Sequence, residues 1–309
     1  MSEPLQHHRP MLGILLKLMW VVVFSATTAG VKYLGPEVPA GQTIFVRSVI
    51  AVLVLVLLAS GTGRLHLLRT NNVRSHALRS LCGAAGMFLL FAALARAPIA
   101  DVMAVSYTSP IFVTLLAMVL LGERIRVHRW TAVATGCAGM LIIVRPYLSF
   151  DASHFTGIAL AMGSSVMTAF AMVFLRGMST TEHPITIMFY FSLTTLAGAA
   201  VSALAGWPTL SAGQWVVMIV VGVLGTAAQL LLTAAYRYAE ASIITPLDYS
   251  SMIVAALFGY FLFDEIPGLS LWLGAPLVIA SGLLILWREY QLRGSSKRTV
   301  ETQLHDSNA

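Results

Sequence analysis

Residues 95–130 read ARAPIADVMAVSYTSPIFVTLLAMVLLGERIRVHRW, and residues 239–267 read AEASIITPLDYSSMIVAALFGYFLFDEIP. Shifted by 142 residues, the two stretches keep Tyr107 in register with Tyr249 and Glu123 with Glu265, and Trp130 matches Trp272, which lies just beyond the second stretch. Matches of Leu and Ile alone would be weak, because apolar residues recur throughout this chain. A Tyr, a Glu and a Trp in one register indicate that the second half repeats the first.

The composition indicates that the membrane is the solvent of this chain. Of its 309 residues, 58% are hydrophobic and 10% are charged, whereas an ordinary soluble domain carries roughly 25% charged residues. Apolar runs of about twenty residues recur along nearly the whole chain, and each can cross a hydrocarbon core of roughly 30 Å. These features exclude an ordinary water-soluble fold.

Run length, together with punctuation by Pro, Gly and charge clusters, predicts an all-α polytopic membrane protein with ten transmembrane helices. We expect the helices at residues 11–34, 40–60, 76–95, 99–121, 127–145, 155–176, 184–205, 213–236, 242–263 and 269–288. Five of them fall in a first repeat, 11–146, and five in a second, 155–288. Because five spans reverse the direction of entry, the two repeats are predicted to be inverted in the membrane. Inverted repeats place a substrate site near the midplane and give alternating access when the halves rock, which favours transport.

The basic residues predict the orientation of the chain. The formal net charge is +6, and most Lys and Arg fall in segments on the same side as the N terminus, including Arg64, Arg69, Arg74 and Arg79. By the positive-inside rule, segment 1–10 and the tail 290–309 are both cytoplasmic. Because orientation explains the basic charge, we expect no nucleic-acid partner. The polar tail is predicted to be disordered, and its Lys and Arg either contact anionic membrane lipid or serve orientation alone.

Three ionisable residues fall inside predicted spans, where a charge costs at least a few kcal/mol and calls for a partner or a purpose. Arg47 either faces the central cavity and holds a carboxylate, phosphate or carbonyl of a substrate, or pairs internally or snorkels. Asp248 is either a carboxylate for proton coupling or for binding a substrate amine, or the partner of Lys17 or Arg47 in a salt bridge. Lys17 is a second candidate for ion coupling, and snorkelling of its long stem is the alternative.

Hydroxyl groups and aromatic rings recur at equivalent depths of the fourth and ninth predicted helices. Tyr107 and Tyr249 suit a site that binds an apolar ring and offers a hydrogen bond. Ser109 and Ser251 either join that site or hold helices together, and Pro110 interrupts the fourth helix, which leaves backbone groups to be satisfied by neighbours, water or ligand. At the membrane surface, Glu123 and Glu265 are expected to pair with loop charges such as Arg124.

Catalytic and cofactor chemistry is not expected from this sequence. It has no phosphate-binding Gly-Lys-Ser loop, and its eight histidines, placed in predicted loops or tails, lack metal-ligand spacing. The expectation is therefore a protein that is not an enzyme and that uses neither a metal nor a cofactor.

The two quoted stretches resemble the EamA branch of the drug/metabolite transporter superfamily. The resemblance rests on the mid-helix Tyr and Pro and on the closing Leu121-Gly122-Glu123, which the second copy replaces with Phe263-Asp264-Glu265. It implies a ten-helix inverted-repeat fold with a central cavity, in the bacterial inner membrane. The second stretch is most similar to the subgroup of riboflavin and S-adenosylmethionine carriers.

The leading hypothesis is a secondary carrier of a small organic metabolite, with Arg47, Tyr107, Asp248 and Tyr249 in its cavity. One alternative is an exporter of amino acids or other metabolites, because the direction of transport follows gradients and coupling. An alternative of another class is a non-transporting membrane module or sensor. A homodimer is an open possibility under each hypothesis.

Overall fold

A computed structural model describes residues 10–70, 72–121, 127–144, 152–178, 182–238, 245–281, 283–284 and 287. All regular structure in these residues is helical. The helices are α1 (Pro10–Leu34), α2 (Ala40–Gly61), α3 (Val73–Leu94), α4 (Ile99–Ser106), α5 (Ser109–Leu121), α6 (Val127–Val144), α7 (Ala152–Met178), α8 (Pro184–Ser202), α9 (Ala212–Tyr238), α10 (Ser250–Phe263) and α11 (Leu269–Ser281). Short 3-10 turns occupy Leu65–Leu68, Ala203–Ala205 and Thr245–Tyr249.

The lengths of these helices confirm an all-α, multi-pass membrane protein. Within the described part of the chain, six helices are long and apolar enough to cross a bilayer, namely α1, α2, α3, α7, α8 and α9. The remaining apolar helices are shorter, at 10–17 residues, and cover Ile99–Val113, Ala134–Ile143, Leu247–Phe263 and Leu269–Ser281. The predicted tail, 290–309, and the predicted N-terminal segment up to residue 9 lie outside the described residues.

The helix predicted at 99–121 is divided into α4 and α5. Pro110 lacks a backbone N–H and its ring clashes with the carbonyl of Ser106, so a regular helix cannot run through this point. The chain instead makes tighter bonds, with the Thr108 N–H donating to the Val105 carbonyl at 3.0 Å and the Ile111 N–H donating to the Thr108 carbonyl at 2.9 Å. The break therefore falls at Tyr107, in the middle of the predicted span.

The ninth predicted helix shows a related irregularity in the second half of the chain. The 3-10 turn Thr245–Tyr249, which contains Pro246, leads directly into α10. Its last residue, Tyr249, is the register partner of Tyr107, so both halves depart from regular α-helix at the same place. Non-helical backbone at membrane depth is tolerated where it lies within protein or lines a cavity, and these two breaks therefore mark a candidate site.

Helices from the first half of the chain pack against helices from the second half. The most extensive packing joins α1 to α9 and α3 to α7, while α2 packs on α8 and α9, and α10 packs on α1 and α4. Every residue of α4 from Ile99 to Val105 is buried, which makes this helix the middle of the core. At the α6–α11 contact, a Cβ on Gly139 would lie 2.6 Å from the carbonyl oxygen of Gly274, so small residues allow the backbones to meet.

Candidate functional site

A buried ion pair joins α1 to the turn that leads into α10. Lys17 Nζ lies 2.5 Å from Asp248 Oδ1, and the two side chains are 1% and 20% exposed. The same ammonium stands 3.9 Å from the centroid of the Trp20 ring, where the negative face of the indole adds a cation–π attraction. The structure thus places Lys17 inside the protein, and it connects two of the three ionisable residues that the sequence puts within spans.

The two register-matched tyrosines meet beside this ion pair. Their ring centroids are 5.3 Å apart, with 52° between the ring planes, an arrangement typical of favourable aromatic pairs. The Tyr107 hydroxyl hydrogen-bonds to Ser251 Oγ, and Ser25 Oγ on α1 donates to the Ser251 carbonyl at 3.5 Å. We call Lys17, Tyr107, Asp248, Tyr249 and Ser251 the aromatic cluster.

Ser109, the remaining predicted hydroxyl, begins α5 and is half-buried. Within the described part of the chain, no hydrogen bond connects Ser109 to the aromatic cluster. The equivalent Ser251 is fully buried and bonded as above. The two serines that share a register therefore differ in their surroundings, and only Ser251 joins the tyrosines.

Arg47 lies in a different place, on α2, and faces α3 and α9. Its Nη1 donates to Met87 Sδ at 2.5 Å, and its guanidinium carbon is 5.8 Å from the centroid of the Phe91 ring. On the α9 side, a Cβ on Gly225 would lie 2.7 Å from Arg47 Nε, so a glycine is needed for the guanidinium to fit. No carboxylate of the described residues lies within 4 Å of this guanidinium.

A small cavity opens beside Arg47, which we call the Arg47 cavity. Its volume of about 20 Å³ holds one water, so the helices around it would have to move apart to admit a larger ligand. Besides Arg47, its polar lining comes from α2, α8 and α9 and consists of Ser48, Ser192, Thr195, Thr226 and Gln229. Met87, Met188 and Phe191 supply part of the apolar lining.

The hydroxyl groups in this lining are largely engaged with their own helices. Ser48 Oγ and Thr195 Oγ1 lie 2.9 Å apart, and Thr195 also donates to the Phe191 carbonyl at 3.0 Å. Thr226 donates to the Gly222 carbonyl at 2.9 Å. By contrast, the Arg47 guanidinium carries five N–H donors. Among the described residues, it uses one of them, in the bond to the weakly accepting sulfur of Met87. The cavity therefore offers spare donors to a ligand with carboxylate, phosphate or carbonyl oxygens.

Five of the six residues predicted to bind substrate fall in two groups in the structure, and Ser109 belongs to neither. Tyr107, Asp248, Tyr249 and Ser251 come together with Lys17, whereas Arg47 stands apart and has no described contact with Asp248. Both groups border the same hydrophobic core, to which Phe91 belongs and against which Met87 and Tyr107 pack. The two groups are therefore connected through one continuous hydrophobic core.

Sequence reasoning placed every histidine in a loop or tail, and the structure corrects this for His76, His128 and His154, which lie within α3, α6 and α7. Helix α3 begins at Val73, so His76 lies within it and is 1% exposed. Its Nε2 is 3.3 Å from Glu182 Oε2, its ring centroid is 4.7 Å from that of Tyr190, and Thr70 Oγ1 donates to Glu182 Oε1 at 2.7 Å. The pair was not predicted because both residues sit at helix ends, where run length alone assigns a loop.

Two further residues differ from their sequence-based interpretation. Glu265 was expected to pair with loop charges such as Arg124, but its Oε1 lies 2.6 Å from Lys32 Nζ and its Oε2 accepts from the Ile99 N–H at 3.0 Å. Glu265 thereby caps the start of α4. Arg79, counted among the cytoplasmic loop charges, lies in α3 and is half-buried. Glu123, whose pairing with a loop charge was also predicted, lies outside the described residues.

The lining of the Arg47 cavity also includes residues that the sequence reasoning did not select. Ser192 and Thr195 project from α8 with a spacing of three residues, and Gln229 interrupts the apolar run of α9. Polar side chains on one face of an apolar helix are the signal that could have identified them, because residues three and four apart share a face.

Comparisons with known proteins relate this chain to transporters. The EamA-like transporter family matches this chain twice, at residues 11–145 and 155–287. The pseudopaline exporter CntI of Pseudomonas aeruginosa is 30% identical over 89% of this chain and 93% of its own length. A riboflavin transporter of Brucella anthropi is 31% identical, with 85% and 94% covered, and an S-adenosylmethionine uptake transporter of Rickettsia prowazekii is 26% identical, with 90% and 93% covered.

A solved crystal structure shares the fold of this chain. It aligns over 91% of this chain and 97% of its own with a TM-score of 0.60, at 20% sequence identity. The two family matches together cover far more than half of the sequence, and helices from both matched segments build the core and the Arg47 cavity. This chain therefore belongs to the EamA-like transporter family, as its two repeated stretches predicted.

Proposed function

We propose that this protein is a secondary transporter that moves a small organic metabolite across the bacterial inner membrane by alternating access. In this proposal the chain forms ten membrane helices in two inverted repeats, 11–146 and 155–288, with both termini in the cytoplasm. The observation that carries the proposal is the Arg47 cavity. Its walls come from α2 and α3 of the first family match and from α8 and α9 of the second.

The cavity suits a transport site because relative motion of the halves would change its access. Walls from two repeats separate when one half rocks against the other, so a ligand held there meets each side of the membrane in turn. Arg47 would bind an oxygen-bearing group of the ligand through its spare N–H donors. The polar groups of Ser192, Thr195 and Gln229 would then orient the ligand within an apolar surrounding, as in most small-molecule sites.

The aromatic cluster would couple this motion to a proton. Lys17 and Asp248 join α1 to the turn before α10, and a proton that binds Asp248 Oδ1 would cancel the attraction to the ammonium. The two segments would then be free to separate, since their charge link is lost. Tyr107 and Tyr249 beside the pair would offer ring faces to a planar ligand, and Ser109 and Ser251 would line the same path.

Riboflavin and an S-adenosylmethionine-like compound are the proposed substrate candidates. Relatives with 31% and 26% identity are named for transport of these two compounds, and both compounds combine a planar ring with hydrogen-bonding groups. Export is the second candidate, because a relative of 30% identity is named as an exporter of pseudopaline. The direction of net movement would then follow the gradients that drive the carrier.

The test is uptake into proteoliposomes with the purified full chain. Labelled riboflavin and labelled S-adenosylmethionine are offered to vesicles with an imposed proton gradient of either sign, and Arg47→Ala is compared with the wild type. We expect the initial rate for the transported compound to fall at least about tenfold, because a hydrogen bond to a charged group is worth about 1.5–3 kcal/mol.

The matched control is Arg64→Ala, which removes the same side chain from an exposed position in the loop after α2. Its rate should equal that of the wild type. Absence of flux of either compound, under both gradients and in both directions, would favour a non-transporting membrane module, whereas equal rates for Arg47→Ala and wild type would remove Arg47 from the site.

A further inference from the structure

A second arginine, Arg79, lies near the Arg47 cavity, and no carboxylate of the described residues pairs with it. The Nε and Nη1 atoms of Arg79 are buried, and neither has a hydrogen-bond partner among the described residues. Its guanidinium carbon lies 4.6 Å from the centroid of the Phe191 ring. Burying donors that are not bonded is costly, and a charge at membrane depth is rarely kept without a purpose.

Helix α3 aligns Arg79 with the Arg47 cavity. Arg79, Gly83 and Met87 are spaced four residues apart, so they lie on one face of the helix, and the first and last are roughly 12 Å apart along its axis. Met87 is the residue that accepts the hydrogen bond from Arg47. One face of α3 therefore carries Arg79 at one end and, at the other, the methionine that contacts Arg47.

The Phe191 ring of α8 occupies the space between the two guanidinium groups. It stacks on Arg79, it lines the Arg47 cavity, and a Cβ on Gly83 would lie 3.0 Å from its Cε2 atom. Gly83 thus leaves room for the ring and places no side chain in the gap. Rotation of this one ring would connect the cavity with Arg79.

The described carboxylates near these helices already have other partners. Asp248 pairs with Lys17, Glu265 pairs with Lys32, and Glu182 contacts His76 and Thr70. None lies within 4 Å of Arg47 or Arg79 in the described part of the chain. The two arginines therefore place positive charge on α2 and α3 near the Arg47 cavity, and such charge attracts carboxylate and phosphate groups.

We infer that Arg79 and Arg47 are two successive anion-binding stations, separated by Phe191, and that the ligand carries a carboxylate or phosphate group. The inference rests on the proposed transport function and narrows its substrate class. Of the two proposed substrates, S-adenosylmethionine carries a carboxylate, whereas riboflavin carries neither a carboxylate nor a phosphate, so the inference excludes riboflavin. A guanidinium binds both anions through paired N–H donors. On the proposed orientation, Arg79 is the cytoplasmic station, and the ligand passes from one arginine to the other as the Phe191 ring swings aside.

Binding is tested apart from transport, by thermal unfolding of the purified full chain in a neutral detergent. The probes are succinate and inorganic phosphate, with tetramethylammonium chloride at equal ionic strength as the cationic probe. A ligand that binds only the folded protein raises its melting temperature. We expect both anions, and not the cation, to stabilise the wild type, and Arg79→Met to raise the Kd for succinate at least about tenfold.

Two further variants keep the test decisive. Arg79→Lys retains the charge and should restore part of the succinate affinity, which a purely structural role of Arg79 would not predict. Arg69→Met removes an exposed loop arginine and should bind succinate as the wild type does. Equal affinity in the wild type and Arg79→Met would overturn the inference, and so would stabilisation by phosphatidylglycerol vesicles alone with none by succinate or phosphate, because Arg79 would then be a lipid contact.

Flux measurements separate failure of this inference from failure of the proposed function. In proteoliposomes, Arg79→Met should lose anion binding and should also show a raised KM for the transported compound at the cytoplasmic face. Phe191→Ala should change the transport rate of that compound without abolishing succinate binding. Flux with an unchanged KM in Arg79→Met overturns the second station and leaves transport intact. Anion binding in a protein that carries no solute supports the site and overturns transport.

Discussion

The two charged sites within the membrane helices differ in how their charge is balanced. Lys17 and Asp248 lie 2.5 Å apart beside an aromatic pair, so each neutralises the other. Arg47 bonds instead to a thioether sulfur and meets no carboxylate within 4 Å among the described residues. A balanced pair needs no further partner, whereas an unbalanced cation requires an anion or water from outside. In the proposed function, this difference favours ligand binding at Arg47 and a charge link between helices at the aromatic cluster.

The comparison between the two sites predicts the largest loss of stability when the charge of one partner in the Lys17–Asp248 pair is removed. Asp248→Asn leaves the Lys17 ammonium buried without a carboxylate, and we expect the free energy of unfolding to fall by about 3–5 kcal/mol. The measurement is the melting temperature of the purified protein in detergent, followed by size-exclusion chromatography of heated samples. Because the helices lose their link, the yield of folded protein should fall as well.

The double variant Lys17→Met/Asp248→Asn is the control for that experiment. It removes both charges and keeps similar side-chain volumes, so most of the stability should return, since replacing a buried pair is often neutral or stabilising. A double variant as unstable as Asp248→Asn would show that the loss comes from packing around Asp248 and not from the uncompensated ammonium. The supposed difference between the two sites would then be wrong.

Arg47→Met should act in the opposite direction. It removes an unbalanced cation from a membrane helix, so the free energy of unfolding should stay the same or rise by at most about 3 kcal/mol. Transport, by contrast, should be lost. The same melting assay measures the effect, with Arg64→Met as the exposed control that changes nothing. A marked loss of stability in Arg47→Met alone would mean that this arginine, too, has a structural partner.

Most of the fold could be predicted from local sequence, because the signals that determine it are local. Apolar run length alone locates the six long helices, and Pro110 alone interrupts the fourth predicted span. The aromatic pair could be predicted in part, since a shared register puts Tyr107 and Tyr249 at equal depth in the two halves. Register does not fix contact, however, and the 5.3 Å ring separation depends on how α4 and α10 pack.

The candidate site was harder to predict from the sequence, because it depends on which helices face each other. One open interpretation of Asp248, a salt bridge to Lys17 or Arg47, contains the observed pair, but sequence offered no means to choose between the two cations. The partners lie 231 positions apart in the chain, and packing of α1 near α10 decides the choice. The same is true of His76 and Glu182, which meet only because α3 packs on α8.

The smallest effect is expected within the aromatic cluster, from a single hydroxyl group. Tyr107→Phe removes the hydrogen bond to Ser251 Oγ and should lower the free energy of unfolding by about 0.5–1.5 kcal/mol. Tyr249→Phe is the matched control, because the Tyr249 hydroxyl has no hydrogen bond among the described residues, and it should leave the melting temperature unchanged. The contrast between the two substitutions isolates the hydrogen bond from the shared loss of a phenol oxygen. Equal losses in both variants would mean that the hydrogen bond between Tyr107 and Ser251 Oγ is not the source of the effect.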